Sequence, residues 1–116
     1  MNLADERLKQ LDNPSLTESE RVLLRCRVAA DLIHKGQYEA AQEALGELWL
    51  GIGQRPPVRN LPTSVDAEVL LQCGTLTHLL GNVRNIAGAE EQAKDMLSEA
   101  ARKFGALGMP AKVSET

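Results

Sequence analysis

The chain is 116 residues long, which suits one small domain, and its net charge at pH 7 is −3. It holds one Trp, one Tyr and one Phe, so its core must be built from aliphatic side chains. Such a core favours closely packed helices over a β-sandwich, which is usually rich in aromatic and β-branched residues. Acidic and basic residues are interspersed, without the basic stripe typical of nucleic-acid-binding proteins. We therefore expect an all-α protein with no nucleic-acid partner.

The sequence contains no signal for membrane insertion or export. A spanning helix requires a run of about 18 apolar residues, and no such run occurs. The start, MNLADERLKQLDNPS, lacks the basic and apolar regions of a signal peptide. These two features predict a cytoplasmic protein.

The first strong helical pattern follows a polar start. Residues 1–13 carry three leucines among charges and predict one short helix, which an Asn-Pro dipeptide breaks. Thr17 and Glu20 then form a capping box, in which a hydroxyl and a carboxylate satisfy backbone N–H groups. Apolar residues behind the box recur at helical spacing and predict a helix over about 18–35. Gly36 is a natural stop for this helix.

A second helix is predicted to begin near Gln37. One apolar stripe marks its inner face, formed by Tyr38, Ala41, Ala44, Leu45, Leu48 and Trp49. The connection between the two helices is only a residue or two long. So short a connection forces the helices to lie antiparallel, as an αα-hairpin.

A long loop and a third helix come next. Residues 51–64, GIGQRPPVRNLPTS, contain two Gly and three Pro and have no helical period. Thr63 or Ser64 is expected to cap the third helix, which continues to about residue 83. Gly74 and Gly81 interrupt its apolar pattern, and a glycine kept inside a helix often marks the close approach of another helix. The sequence NIAG then ends it.

The last part of the chain predicts one complete helix and the start of another. The fourth helix should run from about Ala89 to Phe104, with Ala93, Met96 and Leu97 among its apolar residues. GALGMP terminates it. Residues 110–116 look like the opening of a fifth helix.

Two stretches of the sequence match at a constant offset of 52 residues. GQYEAAQEAL aligns with GAEEQAKDML, and the helix before each stretch carries a small residue at the same offset. The matched pairs are Ala29 with Gly81, Gly36 with Gly88, Glu39 with Glu91, Ala41 with Ala93, Gln42 with Lys94 and Leu45 with Leu97. Each unit is thus a helix, a tight turn with Gly, and a second helix. Its small residues would let the paired helices approach closely.

The matched units resemble the tetratricopeptide repeat, whose pattern is W-x2-L-G-x2-Y, then A-x3-F, then Pro, over 34 residues. The second unit supplies Leu80-Gly81 and then Ala93-x3-Leu97, and the first supplies Ala41-x3-Leu45. The resemblance implies antiparallel helical hairpins stacked as a right-handed superhelix. About four main helices plus terminal segments would form this superhelix.

The chain departs from that pattern at several places. Trp is replaced by Arg25 and Thr77, Tyr by Leu32 and Arg84, and the closing Pro by Gly53 and Gly105. The period of 52 residues is 18 longer than 34, and the long loop and the extended third helix must absorb the excess. On this interpretation 1–116 is one domain with units at about 17–53 and 64–107.

In the tetratricopeptide family the first helix of each unit lines a groove that receives an extended peptide or a partner helix. Carried over by position, the resemblance implies groove residues at Leu23, Cys26, Ala30, Ile33, His34, Thr75, His78, Asn82 and Asn85. Asn82 resembles the residue that grips the peptide backbone in carboxylate-clamp arrays. Cys26 and His78 replace the basic partners of that clamp, so we do not predict carboxylate recognition. The alternative is that these residues are ordinary solvated or packing positions.

The resemblance implies a protein–protein interaction module without catalytic activity, in a bacterial regulatory or assembly protein. Its expected partner is a protein or a peptide. About three repeat units are usually needed for stability, and this chain offers two and the start of a third. We therefore expect either a piece of a longer array or self-association through an uncapped end.

No motif for catalysis or metal binding stands out in the sequence. G-x-S-x-G, H-E-x-x-H, P-loop and G-x-G-x-x-G patterns are all missing. Cys26 and His34 are eight residues apart and Cys73 and His78 five apart, which fits no recurrent zinc motif. We expect two buried thiols in a reducing compartment, with no metal or cofactor.

A helical nucleic-acid-binding regulator is the alternative function. LLGNVRNIAGAEEQAKDM could form a helix-turn-helix that carries the basic residues Arg84 and Lys94. Glu90 and Glu91 would begin its recognition helix, and carboxylates there would repel the phosphate backbone. The protein-interaction module is therefore the favoured prediction.

Overall fold

The computed structural model describes residues 16–54, 56 and 61–109, and its regular structure is entirely helical over these ranges. The elements are α1 (Glu18–His34), α2 (Tyr38–Leu45), a 3-10 turn (Gly46–Leu48), α3 (Thr63–Arg84) and α4 (Ala89–Ala106). No strand occurs within the described ranges, so the all-α prediction is confirmed. The helices predicted within 1–13 and 110–116 lie outside the described residues. None of the described helices is both long and apolar enough to cross a membrane.

The capping box that was predicted at the start of α1 is present. Thr17 Oγ1 accepts a hydrogen bond from the Glu20 backbone N–H at 3.1 Å, and Glu20 Oε1 accepts one from the Thr17 N–H at 3.2 Å. At the other end, Gly36 has φ +75°, a left-handed conformation that glycine adopts at little cost. The Gln37 N–H reaches back to the Leu32 carbonyl at 2.8 Å. These contacts fix the tight turn of the first hairpin.

Helix α2 ends earlier than the apolar stripe predicted. It stops at Leu45, because Gly46 takes φ +56° and ψ −125°, which no α-helix can continue. Arg25 of α1 donates a hydrogen bond from Nη1 to the Ala44 carbonyl at 3.2 Å, satisfying a carbonyl that the helix end leaves unpaired. The stripe continues as the 3-10 turn, which buries Leu48.

The predicted cap of α3 is wrong. Thr63 and Ser64 are already inside the helix, and the capping residue is Pro62, which makes no side-chain hydrogen bond. The extended backbone of Pro62 directs its carbonyl at the first turn, where it accepts from the N–H groups of Val65 and Asp66, both at 3.0 Å. The Asp66 carboxylate then binds Lys103 of α4. A carboxylate in the first turn also interacts favourably with the helix dipole.

Helices α3 and α4 pack closely because two glycines of α3 face α4. A methyl group added at Gly81 would lie 2.5 Å from Ala89 Cβ, and one added at Gly74 would lie 2.9 Å from Leu97 Cγ. Neither glycine breaks the helix, which continues to Arg84. The sequence prediction that these glycines mark a close helix approach is confirmed.

The core lies where the two hairpins meet. Helix α1 packs against both α2 and α3, and α3 packs against α4. Buried aliphatic residues from all four helices form one cluster with Phe104. The small residues of the predicted repeat are consistent with this packing, since Ala29, Ala41 and Ala93 are all buried.

The segment after α2 folds back onto α3. The backbone N–H of Gly53 donates to Thr77 Oγ1 at 3.2 Å, and the thiol of Cys73 donates to the Leu48 carbonyl at 3.5 Å. Thr77 is fully buried at a position where the repeat pattern has Trp. A longer side chain there would collide with the returning segment.

Both cysteines are buried and neither forms a disulfide, as the sequence predicted. Burial raises the pKa of the Cys73 thiol from 9.0 to about 12. In the unfolded chain the thiol ionises near pH 9, so above that pH the unfolded state binds fewer protons than the native state. The stability that the neutral thiol contributes is therefore complete below pH 9 and is lost as the pH rises toward 12.

We expect the Cys73→Ala variant to lose less stability than the wild type between pH 8 and pH 10.5. Urea unfolding at both pH values measures the free energy of unfolding for each protein. The comparison uses the pH-dependent change, so the small cavity left by alanine cancels. Equal changes in the two proteins would show that Cys73 does not carry this pH dependence.

Candidate functional site

A cavity of about 320 Å³ opens to solvent between α1 and α3. Its lining residues are Ala30, Asp31, Ile33 and His34 of α1 and Leu71, Gln72 and Thr75 of α3. Ligand pockets commonly measure ~300–1,000 Å³, so this cavity is at the lower end of that range. It can hold a side chain with its adjoining backbone, or a small molecule.

Helical periodicity explains why these residues meet. Ala30, Ile33 and His34 stand three and four residues apart on α1, and Leu71 and Thr75 stand four apart on α3, so each set shares a helix face. Ala30 has only a methyl side chain and leaves room between the two helices. The cavity is therefore a product of the packing of α1 on α3.

Part of the predicted groove lies at this cavity. Ala30, Ile33, His34 and Thr75 all line it. Sequence reasoning missed Asp31 and the two α3 residues one turn before Thr75, which are Leu71 and Gln72. The signal for those two was available, because residues three and four apart on a helix share a face.

The other two predicted groove residues of α1 lie elsewhere. Cys26 is only 2% exposed and belongs to the core. Leu23 is partly buried and packs against the core cluster. Neither lines the cavity.

The remaining predicted residues of α3 lie beyond the cavity, toward the end of the helix. His78 Nδ1 is 2.8 Å from Glu90 Oε1, so it links α3 to the start of α4. Asn82 is exposed. Asn85 has φ +57° and ends α3 in the left-handed conformation, which Asn tolerates better than most residues. The position of Asn85 is thus explained by helix termination.

The cavity combines aliphatic walls with a few polar groups. Thr75 Oγ1 donates its hydrogen to the Leu71 carbonyl at 2.7 Å, which leaves its oxygen as an acceptor. Gln72 is 8% exposed, and it lines the cavity wall. Asp31 supplies a carboxylate at the exposed edge. The lining thus combines aliphatic side chains with an amide, a hydroxyl and a carboxylate.

Residues that could bind a metal do not converge in the described part of the chain. No group of three or more His, Cys, Asp and Glu side chains there is placed to hold an ion. At the cavity, His34 and Asp31 are the residues of these types.

The segment that resembles a helix-turn-helix has acidic groups around its basic ones. Arg84 Nη2 lies 2.5 Å from Glu39 Oε1 of α2, so this guanidinium is engaged in an ion pair. Glu90 and Glu91 are both exposed in the first turn of α4, the would-be recognition helix. These positions do not favour contact with a phosphate backbone.

Comparison of the sequence with protein-family models and curated proteins, and of the structure with solved structures, finds no match.

Proposed function

We propose that this chain is a protein–protein interaction module, and that the cavity between α1 and α3 receives a segment of its partner. We further propose that the two hairpins stack in a right-handed superhelix like that of tetratricopeptide arrays. The observation that supports both proposals is that α1 and α3, the first helices of the two hairpins, pack side by side and share the cavity. In such arrays the first helices line the binding groove.

The composition of the cavity fits a peptide. Ala30, Ile33 and Leu71 provide aliphatic contact, while Gln72 and Thr75 provide hydrogen-bonding groups that can fix orientation. Protein ligands present the same combination, because each residue joins an apolar or polar side chain to a backbone with one donor and one acceptor.

Selection from a phage-displayed library of random 12-residue peptides tests the proposal. We expect sequences to be enriched on the immobilised chain, and synthetic copies of them to bind in solution. The Ala30→Phe variant should bind those peptides at least tenfold more weakly, because the larger side chain fills the cavity. Ser98→Phe is the matched control, since Ser98 is exposed on α4, a helix that does not line the cavity.

Circular dichroism would show that both variants keep the wild-type helix content. Failure to enrich any peptide would contradict the proposal. Equal loss of binding in the two variants would place the peptide somewhere other than the cavity.

A further inference from the structure

Three apolar side chains lie at the surface where α3 ends. Leu79 and Val83 are four residues apart on one face of α3, and Ile86 follows directly after the helix. Val83 is 71% exposed, more than any other large apolar side chain in the described part of the chain, and Ile86 is 41% exposed. We call Leu79, Val83 and Ile86 the apolar tip of α3. A single exposed apolar residue is ordinary, whereas neighbouring ones indicate a surface for association.

The way in which α3 ends explains why its own chain does not cover Ile86. Asn85 is left-handed and donates its N–H to the Asn82 carbonyl at 3.3 Å, and the Ile86 N–H donates to the Gly81 carbonyl at 2.9 Å. In this Schellman pattern the residue at the position of Ile86 usually packs against the side chain at the position of Gly81. Glycine has no side chain there, and a Cβ at Gly81 would lie 2.5 Å from Ala89 Cβ. The close packing of α3 on α4 thus leaves Ile86 exposed.

The charged groups beside the apolar tip are already paired within the chain. Arg84 is the only charged residue in the stretch 79–86, and its Nη2 lies 2.5 Å from Glu39 Oε1. On the opposite side of the tip, His78 Nδ1 lies 2.8 Å from Glu90 Oε1. Because like charges that face each other oppose association, a surface without free charge can meet a copy of itself.

An exposed amide beside the tip can pair with its own copy. Asn82 is exposed in the last turn of α3, one residue before Val83. Its amide has two N–H donors and a carbonyl acceptor, so the same amide of a second molecule is a suitable partner. In a two-fold symmetric dimer the same surface of each subunit meets itself. Apolar side chains and an amide meet this condition, whereas a row of like charges would not.

We propose that the apolar tip of α3 is the contact surface of a two-fold symmetric homodimer. The two α3 helices meet near their C-terminal ends, and Val83 of each copy lies close to the symmetry axis. Three apolar side chains from each copy make a small interface, so the association is weak and depends on concentration. The inference does not depend on the proposed function, because none of the three tip residues lines the cavity.

Sedimentation equilibrium of the full chain from ~10 μM to ~1 mM tests the inference, since small interfaces associate in this range. We expect the weight-average mass to rise toward twice that of the monomer. Val83→Lys and Val83→Glu should each weaken association at least tenfold, because each places like charges at the axis. An equimolar mixture of the two variants should associate at least tenfold more strongly than either alone. Leu50→Lys is the matched control, since Leu50 is 58% exposed outside the tip, and it should associate like the wild type.

Circular dichroism should show wild-type helix content in all three variants, because both positions are exposed. A monomer throughout the concentration range would overturn the inference and leave the tip to a different protein. Association that survives both Val83 variants, or that Leu50→Lys weakens equally, would also overturn it. A mixture that associates no better than its components would rule out a two-fold contact at Val83. Dimerisation without any enriched peptide would support this inference while contradicting the proposed function.

Discussion

Replacing Leu45 with alanine is expected to lower the free energy of unfolding by about 2–5 kcal/mol, and the same change at Leu97 is expected to cost less. The repeat aligns these two leucines at the offset of 52 residues, but their surroundings differ. Leu45 has no exposed surface, whereas Leu97 is partly exposed on α4. In α4 the residue one position earlier, Met96, is buried instead.

Urea unfolding of the two variants, together with Met96→Ala, measures this difference. We expect Met96→Ala to resemble Leu45→Ala, because both remove a side chain that is enclosed by the core. Each variant should unfold in one cooperative step with a similar dependence on urea, so that the midpoints report stability. Equal losses at Leu45 and Leu97 would mean that the two hairpins bury their matched leucines alike.

Local signals predicted the helices well. The capping box at Thr17 and Glu20 involves residues three apart, and the turn at Gly36 depends on that residue's own conformational freedom. The apolar periods behind these signals extend over several turns, so the start and type of α1 could be read directly from the sequence.

Two helix boundaries depend on contacts that the sequence patterns did not reveal. The end of α2 is stabilised by Arg25, which lies 19 residues before its hydrogen-bond partner Ala44. The start of α3 uses a backbone carbonyl of Pro62, so a rule based on capping side chains chose Thr63 or Ser64 instead. Neither contact leaves a local pattern in the sequence.

Only part of the cavity lining could be predicted from the sequence, because the rotation of each helix depends on its packing against the others. Helical spacing and the repeat resemblance placed Ala30 and Thr75 on facing helices, but the rotation of α1 that turns Cys26 into the core depends on packing against its neighbours. Gln72 was missed although it lies three residues before Thr75, a spacing that places both residues on one face of α3. The structure places it in the cavity wall, where it is buried.

Moving one methyl group from α4 to α3 tests the close packing of the second hairpin. Gly81→Ala improves helix propensity by up to ~1 kcal/mol, yet its new Cβ would lie 2.5 Å from Ala89 Cβ. Overpacking of this kind typically costs ~1–3 kcal/mol, so we expect a net loss of stability. Ala89→Gly alone removes a buried methyl group and should also destabilise the protein, by about 1 kcal/mol.

In the double variant, glycine at position 89 leaves space for alanine at position 81. We therefore expect the two changes together to cost less than the sum of the single changes, by at least ~1 kcal/mol in a double-mutant cycle from urea unfolding. Additive effects, or a Gly81→Ala variant as stable as the wild type, would show that α3 and α4 are not held at this distance. A favourable coupling would show that the small residues Gly81 and Ala89 set the spacing of α3 and α4.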